Sequence, residues 1–130
     1  MTFLKPHEIL LKKAETDLQG AEVLYKSDNE FLDVEIVFFH LQQSIEKFLK
    51  AVLSYRGIHY TKTHDLEQLL KLLGTEFVLD TSDVEFIEEL NMYAVQGRYD
   101  YVSEALDNID DFFKIARKVR KRAHEIINIG

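Results

Sequence analysis

The stretch His40-Leu41-Gln42-Gln43-Ser44-Ile45-Glu46-Lys47-Phe48-Leu49-Lys50-Ala51 decides the reading of this chain. Leu41, Ile45, Phe48 and Leu49, with Phe38 before them and Val52 and Leu53 after, recur at spacings of three and four and make one apolar arc of a helix. His40, Gln43 and Lys47 recur at the same spacings on the opposite side. Gln42 is the exception, because at 100° per residue it falls about 20° from Leu49, inside the arc. The helix is expected over about Phe31 to Arg56, and Gly57 is its stop signal.

Helical periodicity extends in both directions. Pro6 suits the first turn of a helix reaching about Lys26, with Leu4, His7, Leu11, Ala14, Leu18, Ala21 and Tyr25 as its stripe. After a loop over 58–63, Asp65 is expected to cap a short third helix, with Gln68 completing a capping box and Gly74 ending it. A fourth helix is expected from Ser82, boxed by Glu85 and broken at Gln96-Gly97. A fifth is expected from about Ser103 to Ile127, acidic in its first half and basic in its second, the order that suits the helix dipole. The fold expected is all-α, an antiparallel up-and-down bundle of about five helices, three long and two short, as a single domain over 1–130. No segment alternates like a strand.

Composition narrows the chemistry. Cysteine is absent, which excludes disulfides, thiolate metal sites and a cysteine nucleophile. No N-terminal apolar run reads as a signal peptide, and no stretch approaches the roughly 18–20 apolar residues of a membrane span, so a cytoplasmic location is expected. The net charge of −7 makes the chain a poor non-specific binder of nucleic acid. Positive charge is nevertheless concentrated at Lys114, Arg117, Lys118, Arg120, Lys121 and Arg122, where any nucleic-acid contact is expected.

Candidate functional residues are the polar ones at informative positions. His40, Gln43 and Lys47 present donors to an anion, or form a solvated face. Gln42 is expected to be a structural hydrogen-bonding amide, and His64 and Asp65 to be structural at the start of the third helix, by capping and by bonding to a neighbour. Arg98 and Tyr99, after Gly97, suit clamping a phosphate and stacking on a base, with an arginine bridging acidic helix ends as the alternative. Arg120 falls about 20° from Ile109, within the last helix's arc, and there needs an anionic partner: an acidic side chain, a second subunit or a phosphate. Arg117 and His124 lie on the same edge, and a histidine beside arginines suits general acid–base cleavage of RNA. There is no GxGxxG, P-loop, GxSxG or HExxH, and histidines 7, 40, 59, 64 and 124 form no recognisable metal set. No cofactor or metal is expected.

The block from His40 to Ala51, followed by Thr63-His64-Asp65-Leu66 and Leu69-Leu70, and later by Tyr93 and Gly97-Arg98-Tyr99, resembles the HEPN family over nearly the whole chain. The resemblance implies a five-helix bundle, usually dimeric, associated with nucleotides or RNA. It also implies a minimal nucleotidyltransferase as partner in a toxin–antitoxin-type pair. Toxic members of the family are often metal-independent ribonucleases with an Arg-x(4–6)-His motif. Arg117 and His124 alone meet that spacing here. Asp100 stands where proline usually follows Arg-Tyr, and Lys118 where nuclease members usually carry a small polar residue. The first expectation is therefore a non-catalytic binding module. A ribonuclease using Arg117 and His124, or a purely structural partner of a nucleotidyltransferase, are the alternatives. A homodimer is expected from Tyr25, Phe31, Phe38, Phe39 and Tyr55, more large apolar side chains than one small bundle readily hides.

Overall fold

The computed structural model describes residues 3–27, 34–77, 79–96 and 109–129. Among these, five α-helices follow in order: α1 (Pro6–Lys26), α2 (Val34–Arg56), α3 (Leu66–Leu73), α4 (Thr81–Gln96) and α5 (Ile109–Ile129), with a 3-10 turn at Gly74–Glu76. No strand occurs among the described residues.

Helix α2 is the centre of the bundle and packs against the other four. Its run from Val37 to Leu53 supplies Phe38, Leu41, Ile45, Phe48, Leu49, Ala51 and Val52, all almost inaccessible to solvent. Helix α1 runs antiparallel to it, since Ala14 lies beside Ser44 and His7 beside Tyr55. Helix α5 runs parallel to α2: Phe112 meets Phe38 edge-on at 5.2 Å, and twelve residues later His124 meets Phe48 at 6.1 Å. Helix α4 runs antiparallel to α5, pairing Asp83 with Lys118 and Phe86 with Phe112. The long helices thus alternate in direction, as in an antiparallel bundle.

The helix ends follow local chemistry and revise two expectations. The Asp65 carboxylate accepts from the Glu67 amide at 3.0 Å and caps α3, but the amide of Asp65 itself donates to Thr63 Oγ1 rather than to Gln68. Before α4, the reciprocal pair is Asp80 with Asp83, at 2.8 and 3.3 Å, two residues ahead of the expected Ser82–Glu85 box. The run Asp80-Thr81-Ser82-Asp83 offers several caps, and the earlier one lengthens α4 at its start. Gly74 ends α3 with φ of 58°, a conformation that favours glycine. Residues 31–33 and 103–108, expected to be helical, lie outside the described residues, as does Gly97.

Burial also revises the dimer argument. Phe38 is a core residue and Tyr55 is half-buried against His7. Tyr25 and Phe39 remain exposed, alongside Val23 and Ile36; Phe31 lies outside the described residues.

Candidate functional site: the polar seams of α2 and α5

Three sets of polar side chains stand out, one on each side of α2 and one between α1 and α5. The first joins α2 to the α2–α3 loop. Gln42 is 1% exposed, and its Nε2 donates to the His64 carbonyl at 3.0 Å while its Oε1 accepts from Gln43 Nε2 at 2.8 Å. A buried amide left without partners costs about 1–3 kcal/mol, so the loop carbonyl and the neighbouring glutamine account for an amide on an apolar arc. One turn on, Glu46 is buried as well. Its two oxygens take His64 Nδ1 at 2.9 Å and Lys50 Nζ at 3.2 Å. Sequence reasoning misses Glu46, although its signal is there, four residues beyond Gln42 and on the same edge of the arc. The charge of Glu46 also acts on Tyr60, whose phenol is held above its ordinary range first by burial and then by that carboxylate. Asn91 of α4 completes the set, accepting from the Leu66 amide and donating to Asp65 Oδ1.

The second set lies along α1. Asp17 takes His40 Nδ1 at 3.0 Å and Lys47 Nζ at 2.5 Å. His40 and Lys47 therefore face α1 and are engaged there, while Gln43 faces the α2–α3 loop. The three do not converge on one point. Ser44 donates to the Ala14 carbonyl between them.

Across α1 lies α5, whose basic edge meets two glutamates. Glu15 Oε1 accepts from Arg120 Nε at 2.6 Å and from His124 Nε2 at 2.7 Å. Glu22 Oε1 accepts from Arg117 at 3.2 and 3.3 Å. Arg120 is 47% exposed, not inside the apolar arc. The arc of α5 is centred on Phe112, Ala116, Val119 and Ala123, and Arg120 sits about 100° round from Val119, at the rim beside α1. Its anionic partner is an acidic side chain, one of the three expected. Arg117 and His124 are brought to the same edge, with side chains 51% and 31% exposed. Two shallow clefts flank Arg120, one of about 300 Å³ between α1 and α5 and one of about 490 Å³ reaching His124 and Asn128. On the far side of α5, Lys118 pairs with Asp83, which raises its pKa through that hydrogen bond. Arg98 and Tyr99 lie outside the described residues.

No group of three or more His, Asp or Glu side chains among the described residues is placed to hold a metal ion. No helix among them is long and apolar enough to cross a membrane.

The HEPN domain profile matches residues 7–129, from the first turn of α1 to the end of α5. The chain belongs to the HEPN family. A relative in Methanocaldococcus jannaschii, named "Putative toxin MJ1304", is 29% identical over 136 aligned positions, which take in 97% of this chain and 86% of the relative. No solved structure matches the chain significantly. The all-helical bundle and the polar set around Gln42, Glu46 and His64 are how this HEPN chain is built.

Proposed function

We propose that this HEPN protein is a toxin-type, RNA- or nucleotide-associated binding module that contacts phosphates through the basic edge of α5. It acts in the cytoplasm as a homodimer, with a minimal nucleotidyltransferase as partner, or both. The observation that carries the reading is the state of Arg117, Arg120 and His124. In an acidic chain, three potential phosphate ligands are gathered on one helix edge, half-exposed, and each is held by a glutamate at the surface of α1. Exposed ion pairs of this kind contribute about 0–1 kcal/mol each, so a polyphosphate can replace the glutamates at little cost. Arginine offers paired donors to each phosphate.

The reading is tested by fluorescence anisotropy of single-stranded RNA against ionic strength. Affinity is expected to fall steeply with salt. Arg117→Ala with Arg120→Ala is expected to weaken binding and to flatten the log–log slope by about 1.4, at about 0.7 for each phosphate that is no longer neutralised. Binding indifferent to both would remove the proposal.

One observation favours the second reading, a metal-independent ribonuclease. His124 and Arg117 share an edge, and His124 is oriented by Glu15 as a catalytic imidazole commonly is by a carboxylate. Glu15 occupies Nε2 itself, however, so catalysis requires its release. Cleavage of RNA by wild type and its loss in His124→Ala would establish this reading over the first.

A further inference from the structure

A cleft of about 730 Å³ opens between α2 and the start of α3, with Phe39, Gln43, Lys62, His64, Asp65 and Gln68 on its walls. The walls are rich in acceptors. Asp65 takes the Glu67 amide and the Asn91 side chain, both on Oδ1. These are neutral donors, so the carboxylate keeps its charge, and no cation pairs with it among the described residues. Gln43 gives an N–H to Gln42 and turns Oε1 to other partners as an acceptor. His64 gives Nδ1–H to buried Glu46, so its neutral imidazole, 66% exposed, offers Nε2 as a bare acceptor. Lys62 stands exposed on the same wall but forms no ion pair with Asp65.

An anion is repelled by Asp65 and finds few donors here. A flat cation with many donors fits. The Phe39 ring, 53% exposed, gives it a face to lie on. A guanidinium carries five N–H groups in one plane, stacks on aromatic rings and pairs with a carboxylate through two of its donors. An ammonium has neither the flat face nor the fork.

The margins of the cleft say how that guanidinium is presented. Ile36 lies one turn before Phe39 on the same face of α2, and Leu72 lies one turn after Gln68 on the same face of α3. Both are 44% exposed. The polar centre is thus flanked by apolar side chains on two helices. A free guanidine has nothing to lay on them, whereas an arginine within a protein segment has its neighbours. An arginine anchored in a central pocket with apolar contacts around it is a common source of binding energy between proteins. The net charge of −7 also favours a basic partner. The loop is already held by Gln42 on the His64 carbonyl and by Asn91 on Asp65, so binding does not first have to order it.

We propose that this cleft docks a partner protein through one arginine side chain, stacked on Phe39 and bonded to Asp65, Gln43 Oε1 and His64 Nε2, with the partner's apolar neighbours on Ile36 and Leu72. The site is independent of the α5 edge and of whatever binds there.

The test is NMR titration of the isotopically labelled full chain with the capped peptide acetyl-Leu-Ala-Arg-Ala-Leu-amide. The same peptide with citrulline at its centre, and agmatine, are run beside it. Saturable shifts at Phe39, Gln43, His64 and Gln68 are expected with the arginine peptide. Citrulline keeps the shape without the charge and is expected to bind about tenfold more weakly. Asp65→Asn, which keeps a good helix cap, is expected to weaken the arginine peptide by about tenfold. Phe39→Ala is expected to weaken it about three- to fivefold. Lys62→Ala is expected to tighten it about twofold, the opposite of its effect on an anionic ligand. Phe39 and Lys62 are exposed, so neither change threatens folding. Absence of shifts at millimolar peptide, equal binding of the citrulline peptide, or weakening by Lys62→Ala would overturn the proposal. So would shifts centred on Glu15 and Glu22, or agmatine binding as tightly as the peptide, which would assign the cleft to a small guanidine.

Discussion

Removing the charge of Glu46 by Glu46→Gln should destabilise the protein well beyond an ordinary polar change. The side chain of Glu46 is 4% exposed and that of its partner Lys50 is 13% exposed. Breaking a buried ion pair by removing one partner costs about 3–5 kcal/mol, because the other charge is left in a poorly solvated place. Lys50 keeps a path to water, and the amide that replaces the carboxylate can still accept from His64, so the lower end, about 3 kcal/mol, applies. For 130 residues the unfolding entropy is about 0.27 kcal/mol/K, which converts this loss to a midpoint about 11 °C lower. Lys50→Met should cost a similar amount, whereas Glu46→Gln with Lys50→Met, which strands no charge, should cost much less than the sum of the single changes. Urea denaturation at neutral pH, read by helical circular dichroism, gives all three values. Additive costs, with coupling under about 0.5 kcal/mol, would refute the claim that Glu46 and Lys50 act as one buried pair.

The glutamates on α1 should compete with RNA, so Glu15→Gln with Glu22→Gln is expected to tighten RNA binding severalfold in the same anisotropy assay; weaker binding would mean that they position the cations instead. Phe112 is fully buried and meets both Phe38 and Phe86, so Phe112→Ala should cost about 3–5 kcal/mol in denaturant unfolding. Tyr60 should titrate above 10 in an ultraviolet pH titration. Because its folded pKa is raised, the stability that it contributes is complete below the unfolded value near 10 and is lost as pH climbs through the folded one. Tyr60→Phe should remove that part of the alkaline transition.

The bundle is legible because burial leaves a period in the sequence. The stripes of α1, α2 and α5 are read directly from spacings of three and four, and Gln42 stands out because it breaks one. The glycine stops at Gly57 and Gly74 are equally plain, since both positions take a positive φ. The cross-helix ion pairs are not legible. Asp17, Glu15 and Glu22 lie at the rim of α1, where acidic residues are common, and nothing local says which helix will lie opposite. The expected placement of Arg120 fails for a related reason. A nominal 20° from Ile109 describes only where the stem leaves the helix; the long side chain carries its guanidinium out to Glu15 at the surface of α1. The capping pair of α4 lies two residues ahead of expectation because four consecutive side chains can each cap a helix.

The most direct test of the central claim is NMR mapping of where single-stranded RNA touches the isotopically labelled protein. Largest amide and side-chain shifts at Arg117, Arg120 and His124, with matching changes at Glu15 and Glu22 as their ion pairs open, are the result predicted. Shifts that leave the α5 edge undisturbed, or no shifts at low salt and saturating RNA, would contradict it.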